Sequence, residues 1–464
     1  MMNVEKINKA KELSESLVNL QELEESMLRQ RAKIDWLRLS DGNNKYFHVA
    51  IKIRNQTNGI KKIMRNDGTY TTDQKAIETK VVAFYRNLMG KASGDLEGVD
   101  ISAMEILIGS VTEVEITDAL NGIDNDKALG LDGFGAYFFK KAWHIIKQDV
   151  IATVQDFFRN NRMYRAVNCS SVTLIPKHKG AKEIKDYRPI ACCSTLYKII
   201  SKILANRLSK VLGTIVGNNQ AAFVKGQKIH NHILLTYELI KGYERKRIYP
   251  RCFMQMDIQK AYDTVDWNAL EKILNEVGCP QQFKNWIMIA VSTVSYRFNV
   301  NGYKTEIMEA RRGLRQGDPI SPMLFVIVME CLNRYLYKMQ KDGDFNYHPK
   351  CDKLKITNLC FVDDLLLFSR GDKISIGMMM RAYESFSKAT GLVVNPQKCR
   401  LFCAGIDAVT KREILEVSGF QEGQLPFKYL GVPAKSSTGQ HNSYLMQEGY
   451  SLSIELCLHL LTIG

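Results

Sequence analysis

Two strongly apolar runs, Leu359-Cys360-Phe361-Val362 and Leu365-Leu366-Leu367-Phe368, are joined by nothing but Asp363-Asp364. Runs this short, separated by two turn-compatible residues, predict a tight β-hairpin. Adjacent carboxylates between two such strands repel each other and lose water, which is costly unless a cation sits beside them. A solvated turn is the competing reading of the same pair. A hard divalent ion is the simplest compensation, because magnesium takes oxygen ligands and leaves positions for water and phosphate.

A third carboxylate belongs with these two. Cys252-Phe253-Met254-Gln255-Met256-Asp257 alternates as a strand and delivers Asp257 at its end, on the face of Phe253, with a helix expected from near Asp266. Alone, Asp257 reads equally well as a helix cap or a turn residue. With the hairpin it gives carboxylates from separate strands, enough for a two-ion phosphoryl-transfer site.

The rest of the chain suits a polyanionic partner. Lysine and arginine outnumber aspartate and glutamate by 64 to 49 in 464 residues, a net charge of +15 that favours nucleic acid among other acidic partners. With 45% hydrophobic residues and only 10 prolines the composition predicts a folded mixed α/β protein of several subdomains. The 11 cysteines form no C-x-x-C pair and the N-terminus has no apolar leader, which fits a reducing compartment. The longest apolar run, Met323 to Met329, is far too short to cross a bilayer. P-loop, H-E-x-x-H and EF-hand patterns do not occur.

Residues 1–40 carry apolar positions at helical spacing and predict one long amphipathic helix, either a packing arm or a partner-binding coiled coil. A helical stretch from Thr112, an amphipathic segment Ala136–Phe158, a β-like run Ser171–Pro176 and a helix through Leu196–Leu212 follow. Tyr262, five residues after Asp257, is either a core tyrosine or a ring set beside a nucleotide, where it would exclude a ribose 2′-hydroxyl. Gly313-Leu314-Arg315-Gln316-Gly317-Asp318-Pro319 permits close backbone approach to a ligand, with Ser321 expected as N-cap and Pro322 as the first helical residue. Arg188 could grip triphosphate oxygens bidentately with Lys177 as a point charge, or both are solvated surface charges. Cys192-Cys193, Cys399 and Cys403 read as core positions, and His230 and His232 as surface ones.

In order along the chain these motifs resemble the reverse transcriptases of non-LTR (LINE-type) retrotransposons, particularly those of plants. Trp36–His48 is similar to the linker before the polymerase, and Lys127–Phe134 resembles the family's K-A-P-G-x-D-G-F motif with Leu129 in place of proline. LIPK (174–177), DYRPI (186–190), NQAAFVKGQ (219–227), DIQKAYD (257–263), GLRQGDPISP (313–322), FVDD (361–364), GLVVNPQKC (391–399) and KYLGVP (428–433) follow in register, with Val362 where alanine is commoner.

The resemblance implies a right-hand polymerase architecture: a helical linker in 1–60, an N-terminal extension in 61–165, fingers in 166–250, a palm with an antiparallel sheet in 251–402, and in 403–464 the start of a thumb or a degenerate C-terminus. It implies a metal set of Asp257, Asp363, Asp364 and the Ile258 backbone holding two magnesium ions, with manganese as a substitute. It further implies Lys398 as proton donor, Tyr262 as sugar gate, Gln316 and Gly317 at the template and nucleotide, Arg188 and Lys177 at the triphosphate, and Leu430 and Gly431 as primer grip. The expected partners are an RNA template, a DNA primer and deoxynucleoside triphosphates. Similarity fades after Pro433, and no endonuclease, RNase H or Cys/His knuckle is recognisable. A fragment of a larger element protein is therefore expected, with weak grip on its duplex. Two other readings use the same chain: an RNA-binding protein related to intron maturases, and an inactive remnant.

Overall fold

The computed structural model describes residues 107–434 except 218, 225–226, 228, 244, 246–247 and 431, together with 63–64, 70–73, 75–77 and 79. The expected N-terminal helix, Trp36–His48, Gly431 and everything after Ala434 lie outside the described residues.

In chain order the main elements are α1 (Glu113–Asn121), α2 (Ala136–Lys141), α3 (Trp143–Asn160), β1 (Cys169–Pro176), β2 (Tyr187–Cys192), α4 (Thr195–Ile215), α5 (Ile229–Ile240) and β3 (Arg251–Asp257). Next come α6 (Ala261–Thr264), α7 (Trp267–Glu276), α8 (Gln281–Ser292), β4 (Ser295–Val300), β5 (Tyr303–Lys304), β6 (Met308–Glu309) and α9 (Ser321–Met339). The series ends with β7 (Asn358–Phe361), β8 (Asp364–Arg370), α10 (Lys373–Thr390), β9 (Arg400–Ala404), α11 (Ala408–Ser418), β10 (Gln421–Glu422), β11 (Phe427–Tyr429) and β12 (Val432–Ala434). The fold is mixed α/β, as the composition predicted. No helix among the described residues is long and apolar enough to cross a membrane.

The chain divides into two compact units. One contains Val111–Ile200 and Thr293–Ala310 with the described part of Met1–Asn87; the other contains Ser201–Ser292 and the chain from Arg311. In the first unit the sheet order is β2-β1-β4-β5, with β6 also on β4, and β1 and β4 run parallel. Strand β4 thus joins this sheet although its sequence falls between helices of the other unit. The predicted Ala136–Phe158 segment is broken at Ala142 into α2 and α3. Asn161, in the left-handed region at φ 51°, ends α3, the C-terminal role that asparagine fills when glycine is absent.

The second unit is built on a five-stranded sheet of order β10-β9-β3-β8-β7. Its centre is antiparallel: β8 pairs with β3 from Asp364 opposite Asp257 to Arg370 opposite Arg251, and β9 pairs with β3 from Arg400 opposite Gln255. One face is aromatic. Phe253 lies flat on Phe402 with ring centres 4.3 Å apart, and Phe427 and Phe368 close on it at 5.1 and 5.9 Å.

Helix α10 packs on α9 and on β8, and its boundaries follow from sequence. Asp372 accepts the Ser375 N–H at its start, and Gly391 at φ 77° ends it. Helix α9 is apolar all round from Leu324 to Met329, so it is buried rather than amphipathic. It starts one residue earlier than expected, with Ile320 at the cap and Ser321 already helical. Helix α5 buries His232 at 4% exposure, against the surface position expected for it; Leu239, two turns on along the same helix face, is buried in the core on the sheet's aromatic side.

Candidate active site

Period-two alternation carries Asp257 to the end of β3, where antiparallel pairing sets it directly opposite Asp364. The hairpin brings its acids there by a turn one residue earlier than predicted. Phe361 pairs with Asp364, so the two-residue loop is Val362-Asp363, and Asp364 is the first residue of β8. A two-residue hairpin needs a positive φ in its loop to match strand twist. Val362 supplies it at φ 57°, a conformation that glycine or asparagine would adopt far more readily.

Gln220 holds that turn. Its side chain is buried, its Oε1 accepts the N–H groups of Val362 and Ala222 at 3.2 and 3.0 Å, and its Nε2 donates to Cys360 Sγ at 3.2 Å. The backbone beside it is tied to the same strand: Cys360 N–H donates to Asn219 O at 2.8 Å, and Ala221 N–H to Cys360 O at 3.2 Å. In sequence Gln220 is marked only by its place in NQAAFVKGQ (219–227), which assigns it no role.

The carboxylates act on each other. Desolvation by the surrounding protein together with the charges of Asp363 and Asp257 pushes Asp364 up to about 6. Asp363 is raised by the same desolvation and by Asp257. Both side chains still reach solvent, which damps these shifts, but the direction is that of clustered like charge. Among the described residues no three Asp, Glu, His or Cys side chains come close enough to enclose an ion by themselves. An open cluster of hard oxygen donors that resists ionisation fits a divalent cation whose other positions go to water and phosphate.

The segment after α10 fixes the base of Asp257. Asn395 N–H donates to Asp257 O and Gln259 N–H to Val393 O, both at 2.8 Å, and Ile258 bridges Val394. These bonds deliver Lys398, whose Nζ lies 3.5 Å from Asp257 Oδ2.

Tyr262 lies in α6 and stacks on Phe325 of α9, with ring centres 5.0 Å apart. Burial, and secondarily the charge of Asp363, holds its phenol well above the usual range, so it stays neutral. The Gly313–Asp318 loop locks onto the same stretch. Leu314 N–H donates to Tyr262 O at 2.6 Å, Gly313 N–H to Val265 O at 2.7 Å, and Trp267 Nε1 to Gly313 O at 2.8 Å. A Cβ on Gly313 would stand 2.7 Å from Asp263 O, and its φ is 95°, so both contact and conformation demand glycine there.

Within that loop Arg315 is buried, donating to Ala290 O at 2.9 Å and pairing with Asp318 at 3.4 Å. Asp318 in turn accepts the Ser201 hydroxyl. Arg315 is therefore a brace for the loop, while Gln316 is half-buried and Gly317, at φ 102°, is exposed beside it.

Lys177 and Arg188 belong to the first unit, at the β1–β2 hairpin where Ile175 pairs with Arg188. Arg188 is exposed, and Lys177 Nζ donates to Lys185 O at 2.7 Å. The loop of Lys127–Phe134 is in the same unit. Gly130 leaves 2.6 Å between an added Cβ and Ser194 Cα, and Lys198 reaches Ala128 O at 2.5 Å. Leu430, at φ 50°, follows β11, which Gln255 Nε2 ties to the sheet through Lys428 O at 3.1 Å. Tyr237 Oη donates to Pro433 O at 2.6 Å and secures β12.

Comparison with known proteins gives this geometry a family. The reverse transcriptase (RNA-dependent DNA polymerase) profile matches residues 175–434. The chain is 24% identical over 402 residues to the transposon TX1 uncharacterized 149 kDa protein of Xenopus laevis, covering 83% of this chain and 30% of that one. It is 27% identical over 281 residues to the retrovirus-related Pol polyprotein from the type-2 retrotransposable element R2DM of Drosophila melanogaster, 58% of this chain and 25% of the other. Against the type-1 element R2 polyprotein of Nasonia vitripennis it is 26% identical over 322 residues, covering 66% and 30%. The chain spans less than a third of the length of these curated relatives. A match over more than half the chain, with the carboxylate strand and acidic hairpin inside it, places the chain in the reverse transcriptase family, as a domain of the non-LTR retrotransposon kind.

Proposed function

We propose that this chain extends the 3′-hydroxyl of a DNA primer with deoxynucleoside triphosphates on an RNA template and releases pyrophosphate. The observation that carries the reading is Asp257 standing opposite Asp364 on paired strands, with Asp363 adjacent in the turn. Asp257, Asp363, Asp364 and the backbone carbonyl of Ile258 would hold two magnesium ions, with manganese as a substitute. Bound there, such ions supply charge stabilisation at the attacking and leaving oxygens of an in-line displacement.

The chain's own groups do the remainder. Lys398, paired with Asp257, is placed to release its proton toward the departing pyrophosphate. Tyr262, neutral and fixed against Phe325, presents a wall to a sugar bearing a 2′-hydroxyl. Gln316 contacts the templating nucleotide, and Gly317 leaves its backbone open to the incoming one. Arg188 and Lys177 grip the triphosphate, and Leu430 with Gly431 steadies the primer end. On this reading the β3-centred sheet is the palm and the β1–β2 region belongs to the fingers. The relatives are named as retrotransposon proteins, which supports a place in a longer element protein. A plant source is supported by the motif resemblance and by 35% identity over 68 residues to an uncharacterized mitochondrial protein of Arabidopsis thaliana, 14% of this chain and 56% of the other. Residence in the nucleus or cytoplasm is supported by the family resemblance.

The test is primer extension on an RNA template with magnesium, using the full chain and its Asp363→Asn variant. Incorporation by the parent, with at least about a thousandfold loss in the variant, is expected from removing a metal-ligating carboxylate (roughly 4 kcal/mol of barrier). Equal incorporation by both proteins would overturn the assignment.

A further inference from the structure

Strands β3 and β9 are antiparallel neighbours, and Cys252 stands directly opposite Cys403. Their sulfur atoms are 3.3 Å apart. Facing residues of an antiparallel ladder have Cα atoms about 4.5 to 5.5 Å apart. That range lies inside the roughly 4.4 to 6.8 Å spanned by a disulfide. Closing a bond therefore needs the two sulfurs to approach and the strands to stay where they are.

The two thiols are unequal. Cys252 is fully buried, whereas Cys403 is half-buried and is the one a small oxidant reaches. The two sulfurs share one S–H···S hydrogen bond, which with the ammonium of Lys411 on α11 draws the Cys403 thiol down. The same hydrogen bond and burial hold Cys252 up. The accessible sulfur is thus the better nucleophile, and the sulfur that would resolve its oxidation product is already in contact with it.

We propose that Cys252 and Cys403 form a peroxide-sensitive dithiol, a modification site within the sheet that carries Asp257. Cys403 sulfur attacks hydrogen peroxide: an S–O bond forms, the O–O bond breaks, and water leaves with the thiol proton. Cys252 sulfur then attacks the sulfenic sulfur of Cys403: the S–S bond forms, the S–O bond breaks, and the hydroxyl departs as water with the Cys252 proton. Two electrons pass from the sulfur pair to one peroxide, and thiol exchange returns both cysteines. The link closes the chain from 252 to 403, and Asp257, Asp363 and Asp364 all lie within the closed segment. The inference does not depend on whether the domain polymerises.

The full reduced chain is treated with hydrogen peroxide, its remaining thiols are blocked, and the digest is mapped. The expected result is a Cys252–Cys403 cross-linked peptide pair, with titratable thiols under denaturing conditions falling from the 11 of the sequence by two and recovering with dithiothreitol. Cys403→Ser, an isosteric change at a half-buried position, should keep all its thiols under the same treatment. Cys252→Ala should stop at a Cys403 sulfenic acid that a dimedone probe captures. A parent chain that keeps its full thiol count or leaves Cys403 as sulfinic acid beside a free Cys252, or a Cys403→Ser variant that still loses two thiols, overturns the proposal.

Discussion

The two ends of strand β3 are opposites. Around Phe253 every neighbour is matched: a ring stacked nearly parallel on Phe402, two further rings closing on it, and Cys252 and Met254 buried on the other face. Around Asp257 the matching is partial: Lys398 pairs with it at 3.5 Å, but like charges face across the ladder and the adjoining turn holds a branched residue at positive φ. Local strain of this kind persists where the surroundings over-determine it. The aromatic end supplies that surrounding, so the strand can hold Asp257 opposite Asp364 without bending away.

The largest way to break the contrast is at the aromatic end. Phe253→Ala should cost about 3–5 kcal/mol of unfolding free energy in urea denaturation, through lost transfer energy and the cavity left among three rings. A cost under about 1 kcal/mol would show that the anchor lies elsewhere. Next is Gln220→Ala, which leaves the half-buried Val362 and buried Ala222 N–H groups without their acceptor and should cost roughly 1–3 kcal/mol, with slower primer extension. Were Gln220→Ala to match the parent in both assays, the turn would be holding itself.

Smaller effects sharpen the charged end. Val362→Gly should stabilise the chain slightly: removing a left-handed side-chain penalty of about 1–2 kcal/mol outweighs the extra chain entropy of glycine, about 0.5–1 kcal/mol. A destabilised variant would mean that the valine side chain earns its place by packing. The smallest effect concerns pH. Because Asp364 titrates near 6 in the fold and near 4 when unfolded (about 3.9), the folded chain binds its proton more tightly. Its contribution to stability is present in acid and is lost as pH rises through that window. In metal-free buffer the melting temperature of the parent should therefore fall, relative to Asp364→Asn, between pH 4 and pH 7. Parallel curves for the two proteins would show that neither desolvation nor the neighbouring charges raise Asp364.

Much of the carboxylate end could be read directly from residues. Alternation in 252–257 and the paired apolar runs place three acids at strand ends, and a helix begins near Asp266 as expected, with Asp266 accepting the Ala269 N–H at 2.9 Å. What escaped is what depends on distant chain. Gln220 acts on a turn 142 residues away. The turn itself is shifted by one residue because pairing with Phe361 claims Asp364 for the strand. Strand β4 finds its partner in β1, a pairing that no local pattern encodes. His232 shows the same limit from the other side: a polar residue in an apolar helix takes the environment its neighbours choose.

The ladder between β3 and β8 has a genetic consequence. Side chains along a strand point alternately up and down, so losing one codon between Phe253 and Asp257 would turn Asp257 away from its fellows while leaving the sheet able to pair. An element copy damaged in that way would still make a folded protein, yet its acids would stand on opposite sides of the sheet. Decaying copies of such a sequence can thus go silent through a single in-frame deletion long before they become unable to fold.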